Sequence, residues 1–292
     1  MKKLFEVISV KAIFGPAGNA DIFYDQGNKS TIQVPAWLSS FGLDAYEYQC
    51  GRGVKISDDA ADNLRLEAEK NGIILSVHSP YYINIATPED EKKEKSIGYI
   101  LQTAHAAKMM GAKRIVVHMG AAGKITRTDG IDLSKALIKR ALSAMDENGL
   151  GDVTICLETM GKVNQLGTPE ETADVCSVDQ RLFPCVDFGH INAREQGSLA
   201  NPSDFERVVG VFEKKLGKDR AYGMHVHFSK IEYTHMGEKK HLTFEDALYG
   251  PDFENFAEVI CKKGMYPHVI CESAGTQAED ALSMKKILES MK

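Results

Sequence analysis

Six apolar runs in this chain each end in a side chain able to bind a metal ion, and the endings recur at intervals of about one strand–helix unit. Residues 72–77 lead to His78, 114–117 to His118, 153–157 to Glu158, 182–186 to Asp187, 221–224 to His225 and 266–271 to Glu272. The steps between these endings are 40, 40, 29, 38 and 47 residues. Short apolar runs bounded by turn residues read as buried strands, and the stretches between them carry apolar residues near a 3.6 period, as helices do. Strands alternating with helices call for a parallel sheet covered by helices. If that sheet closes into a barrel, the carboxyl ends of all its strands share one face.

Two further strands complete the set. Residues 4–13 form an apolar opening that stops in a glycine-rich turn, 14–18, and residues 42–49 alternate apolar and polar before the exposed loop around Arg52. That first turn lacks the glycine spacing of a dinucleotide site. Helices are expected at 35–41, with Trp37 as a packing residue, and at 57–71, 89–110, 133–145, 168–179, 201–215, 255–263 and 276–291. Thr168-Pro169-Glu170-Glu171 has the cap, first-position proline and acidic first turn of a helix start. With no linker long enough to divide it, the chain is expected to be a single (β/α)8 TIM barrel spanning residues 1–292.

The amino terminus meets an acid at Glu6 before any apolar core of a leader forms, and no run of eighteen apolar residues follows. A cytoplasmic protein without membrane contact is expected. None of the six cysteines forms a C-x-x-C pair, and Cys156, Cys185 and Cys271 sit inside apolar runs, so buried free thiols are expected. The net charge of -6 opposes nonspecific coating of nucleic acid, although bound cations would cancel part of it. His105, within a helix, and His268, within the last strand, read as structural.

A single catalytic zinc needs about three protein ligands and an open position. This face offers six, with His190 and His241 added from loops, which is enough for two or three ions. The imidazole-rich mixture suits zinc, or manganese or iron, better than magnesium or calcium.

These anchors resemble the endonuclease IV family, the zinc-dependent apurinic/apyrimidinic endonucleases among the xylose-isomerase-like TIM barrels. His78-Ser79-Pro80-Tyr81 with Asn84 is similar to that family's first ligand motif and Asp187-x-x-His190 to its paired-ligand motif. His118, Glu158, His225 with Ser229-Lys230 behind it, and Glu272-Ser273 follow in the family's order. The resemblance implies that His78 and His118 bind one zinc, that Glu158 bridges it to a second held by Asp187, His225 and Glu272, and that a third lies with His190 and His241. It implies a hydroxide between the first two metals as nucleophile, with Glu158 and Glu272 in the catalytic set. The implied partner is damaged double-stranded DNA, cut on the 5′ side of an abasic site; the chain itself is expected to be a monomer. Tyr81 and Tyr82 match the place where the family meets the kinked duplex, and Lys230 is a candidate phosphate contact.

Two departures stand out. The family places an aspartate two residues before its last loop histidine, where this chain has Lys239. A protonated lysine cannot ligate, so three outcomes stay open: a weaker third ion, one that recruits Glu238, His227 or His235, or no third ion at all. The loop after the second strand does not match the family's DNA-inserting loop, leaving Arg52 as the nearby basic residue. The rival reading is a sugar isomerase or epimerase of the same superfamily, in which Glu158, Asp187, His225 and Glu272 hold one ion while Glu158 and Glu272 exchange protons with a small sugar.

Overall fold

The computed structural model describes residues 11–291. Ten strands occur among them: β1 (Ile13–Pro16), β2 (Ala45–Gln49), β3 (Ile74–His78), β4 (Arg114–His118), β5 (Thr154–Glu158), β6 (Phe183–Asp187), β7 (His225–Phe228), β8 (Ile231–Thr234), β9 (Gly237–His241) and β10 (His268–Cys271). Eight of them form one parallel sheet in the order β1-β10-β7-β6-β5-β4-β3-β2. The ends of that row meet. The Asp44 amide donates to the Phe14 carbonyl and the Gly18 amide to the Glu47 carbonyl, each at 2.9 Å, which joins β1 to β2 and closes the barrel. Closure depends on Gly15, where a β-carbon would stand 1.8 Å from the Ala45 carbonyl oxygen.

Helices follow the barrel strands in the expected alternation: Val34–Phe41, Asp58–Asn71, Asp90–Met109, Arg127–Glu147, Pro169–Cys176, Pro202–Leu216, Phe253–Lys263 and Gln277–Ser290. Their starts follow local rules. Ser57 and Thr126 accept amides of the first turns they cap, and Thr168 with Glu171 closes a capping box ahead of Pro169. The main apolar core lies between these helices and the outer faces of the strands. Inside the barrel, two small clusters fill separate regions, Ile13 with Ala45 and Ile270, and Val116 with Cys156 and Cys185. Side chains alternate across a strand, so Ala45, Glu47 and Gln49 face the interior while Tyr46 and Tyr48 pack outward on the helices.

Three expectations are corrected. The first strand is Ile13–Pro16, which takes in most of the segment expected to be a turn, while residues 4–10 of the expected strand lie outside the described residues. Lys218–Tyr222 is a short helix between Gly217 and Gly223, so β7 begins at His225 instead of ending there. The polar connection after β7 contains an antiparallel hairpin, β8 and β9. Among the described residues all six cysteines are free, Cys261 alone being exposed, and no helix is long and apolar enough to cross a membrane.

Candidate metal centre

The barrel register levels the strand ends. His118 is paired with Glu158 and Asp187 with His227 across neighbouring strands. Glu158 is the hub. Its Oε2 lies 3.0 Å from His118 Nε2 and 3.3 Å from His78 Nε2, and its Oε1 lies 3.2 Å from His227 Nδ1 and 3.4 Å from His190 Nδ1. Five sets of potential ligand atoms, each within 4.8 Å of one another, result: His78, His118 and Glu158; Glu158, Asp187, His227 and Glu272; His190, Glu238 and His241; His78, His227 and Glu272, which overlaps the first two; and Cys185, His225 and His227, wholly buried.

Several of these imidazoles are held by a second partner. His78 Nδ1 donates to the Ser79 carbonyl at 2.7 Å and His190 Nδ1 to the Thr159 carbonyl at 3.0 Å, which turns each Nε2 toward the centre. His241 Nδ1 meets Ser229 Oγ at 2.8 Å. Asp187 has two tasks. Its Oδ1 accepts the His190 amide at 2.7 Å and caps the helix Phe188–Arg194. Its buried Oδ2 accepts no hydrogen bond, with His190 Nδ1 3.3 Å away as its nearest charged neighbour among the ion pairs of the described residues. An orphaned carboxylate oxygen amid imidazoles and further carboxylates is the environment a divalent cation fits.

Electrostatics agree with that fit. Burial pushes Glu158 upward, but the imidazoles of His118 and His227 outweigh it and hold its carboxyl well below the usual range. Burial pulls His78 down, and the Glu158 and Glu47 carboxylates overcome it to bring the imidazole to about 9. His190 and His227 are raised well above their ordinary value against the same burial, His190 by Asp187, Glu158 and Glu238, His227 by Cys185, Glu272, Glu47 and Glu158. With no cation present, protons on His78, His190 and His227 offset the carboxylates.

The third set contains Glu238, one of the alternatives left open by Lys239. Tyr233 pairs with Glu238 and Glu232 with Lys240, so Lys239 is an extra residue in the ladder. A bulge of this kind re-aims side chains. Lys239 turns outward to Glu232 at 2.5 Å, while Glu238 Oε2 comes within 3.4 Å of His190 Nε2. Gly161 makes room for the hairpin, since a β-carbon there would meet Glu238 Cβ at 2.6 Å and His190 Cδ2 at 2.9 Å. The loop bearing Gly161 is clamped by Arg194, which donates to the carbonyls of Met160, Lys162, Val163 and Gln165, and by Arg127.

His225 is placed apart from the position expected of it. As the first residue of β7 it sits one inward step below His227, wholly buried, with Nε2 2.9 Å from Glu47 Oε2. His227 stands with Glu158, Asp187 and Glu272 instead. Among the candidate substrate contacts, Tyr81 lines the cavity of about 340 Å³ over the centre, whereas Tyr82 packs edge-on against Tyr81 and Tyr99. Arg52 is exposed on the loop after β2 and is not a lining residue. Lys230 is engaged elsewhere, by the Asp246 carbonyl at 2.6 Å and Asp252 at 3.3 Å. His235 is exposed at the hairpin turn, and His105 pairs with Asp58 on the surface.

Glu47 and Lys162 were not among the expected site residues. Lys162 lines the cavity, and Glu47 lies beneath the centre. The signal for Glu47 is its parity. In a strand buried on both faces, the large aromatics Tyr46 and Tyr48 claim the helix side and leave Glu47 the interior.

The family described as "Xylose isomerase-like TIM barrel" matches residues 35–292. An uncharacterized protein of Methanocaldococcus jannaschii is 32% identical over 276 residues, covering 94% of this chain and 97% of the relative. A probable endonuclease 4 of Bacillus licheniformis is 31% identical over 216 residues, 70% of each chain. Two solved structures share the fold: endonuclease IV from Thermus thermophilus, with a TM-score of 0.66 and 19% identity over 90% of this chain and 94% of that one, and an L-ribulose 3-epimerase, with 0.68 and 14% over 96% and 95%.

Proposed function

This chain belongs to the xylose-isomerase-like TIM-barrel family, and from that premise we propose that it is a metal-dependent phosphodiester hydrolase that cuts double-stranded DNA 5′ to abasic sites. One observation carries the reading: nine potential ligand side chains occupy three of the five sets, two of which share Glu158 while the third adjoins it through His190. His78 and His118 would hold one ion with Glu158, and Asp187, His227 and Glu272 a second, zinc being the best match to this donor set. His190, Glu238 and His241 would hold a third. Divalent cations held this way would act as Lewis acids on a phosphodiester and offset its charge.

The chain's own residues supply placement. Glu158 fixes the spacing of the first two sites because its two oxygens face different imidazoles. Asp187 ties the second site to the third, since the helix it caps carries His190. At the cavity rim, Lys162 provides a positive charge for phosphate and the exposed Tyr81 an aromatic face for a disturbed base pair.

A second reading has support in one observation. Glu158, Asp187, His227 and Glu272 alone form a four-ligand set of the sort that holds one ion in a sugar epimerase, with two glutamates to move protons. That reading leaves His78, His118, His190, Glu238 and His241 as five ligand-type residues without a task. Incubation of the zinc-loaded protein with a duplex containing one abasic site separates the two. The hydrolase reading expects a single 5′ incision, no cutting of an intact duplex, and a loss of about 10²- to 10³-fold in Glu158→Gln. Epimerisation of a ketose by protein that leaves the abasic duplex intact would sink it.

A further inference from the structure

Beneath the centre lies a carboxylate that no part of the reaction touches. Glu47 is fully buried in the barrel interior, and no lysine or arginine pairs with it among the described residues. Four donors converge on it. Oε1 lies 3.0 Å from His227 Nε2 and 3.1 Å from Gln49 Nε2; Oε2 lies 2.9 Å from His225 Nε2 and 2.9 Å from Ser76 Oγ. An ionised carboxylate has about four acceptor positions and no donor, so this set saturates it.

The saturation decides where protons sit on both imidazoles. Glu47 can only accept, so each histidine must present Nε2–H, and in its neutral form each then has an unprotonated Nδ1. For His225 that atom is buried without a partner. For His227 it lies 3.2 Å from Glu158 Oε1 and 3.5 Å from Glu272 Oε2, on the side of the second ligand set. Packing does not call for a charge at this depth: Ile13, Ala45 and Ile270 fill another part of the same interior with apolar atoms. Replacing a buried ionic group by an apolar one of similar volume often costs a fold nothing, so a carboxylate held here points to a task.

We propose that Glu47 is a positioning residue that fixes His227 in the tautomer presenting its Nδ1 lone pair to the second metal site, with His225 holding Glu47 in place instead of ligating. The inference rests on the metal-centre reading above and goes one layer deeper into the barrel. A negative charge behind the imidazole also makes Nδ1 a stronger donor to a cation.

The test is stepwise zinc binding to metal-free wild type and Glu47→Gln, followed by competition with a chromophoric chelator. It is joined to ¹⁵N spectra that read the His227 tautomer in the zinc-loaded protein. A glutamine amide offers one acceptor and one donor face to two Nε2–H groups, so one imidazole must turn. The expected result is a single binding step weakened by about 10- to 100-fold, the other steps unchanged, and loss of the pure Nε2–H signature at His227. Wild-type affinity at every step with an unaltered tautomer would overturn the proposal. If Glu47→Gln does not fold, Glu47→Asp keeps the charge but withdraws it by one methylene. It should weaken the same step by a smaller factor, and no change in that step would overturn the proposal equally. Zinc binding by a wild type that leaves abasic DNA uncut removes the proposed activity alone, whereas unchanged binding by the variants of an active enzyme removes this inference alone.

Discussion

At the scale of single residues, the centre is a competition between protons and cations for the same lone pairs. In the metal-free chain the carboxylates keep His78 protonated up to about 9 and raise His190 and His227 well above the ordinary imidazole range. Each raised value means protons are bound at neutral pH and leave only as pH climbs through it. Metal binding must displace them, so affinity should fall steadily as pH is lowered from about 9. Adding zinc to weakly buffered metal-free protein near neutrality should release protons, measurable in a pH-stat, and a titration without release would contradict this balance. Most of these side chains were legible in the sequence, because a ligand-type residue at the end of an apolar run is conspicuous. Glu47 was not, because an acid between two tyrosines reads as the exposed side of a half-buried strand. Only the two-sided burial of a barrel strand reverses that reading.

At the scale of elements, small irregularities decide which residue of a segment reaches the centre. His225 and His227 share a face of β7, and the one at ligand height depends on where the strand begins. The apolar residues 221–224 gave no local sign that the chain there completes a helical turn. The hairpin β8–β9 makes the same point. Its polar sequence lacks strand alternation because the extra residue at Lys239 breaks the period, yet the break is what brings Glu238 to His190. Glu238→Gln, which replaces a charged ligand, should therefore release the third ion, while Lys239→Ala leaves it bound, as chelator competition would show. Equal losses in both variants would return the third site to an unassigned state. Gly161→Ala should likewise loosen the third ion, since its methyl group would push Glu238 and His190 apart.

At the scale of the whole molecule, the alternation of strands and helices calls for a parallel sheet covered on both faces, which a doubly wound sheet also satisfies, and the convergence of the ligand-type strand ends is what favours the barrel. What the alternation leaves open is how the ring closes. That rests on the backbone contact of Gly15 with Ala45, and Gly15→Ala should cost about 1–3 kcal/mol and lower the melting temperature by about 2–4 °C per kcal/mol. A melting curve unchanged by this variant would mean that β1 and β2 part without penalty. Closure also carries the centre, since Glu47 and Gln49 belong to the strand that completes the ring.

The central claim is that this face of the barrel holds a cluster of ions, which elemental analysis of the zinc-loaded, extensively dialysed protein addresses most directly. Three tightly held divalent ions per chain are expected, falling to two in Glu238→Gln. Saturation at a single exchangeable ion, indifferent to His118 and His241, would contradict it.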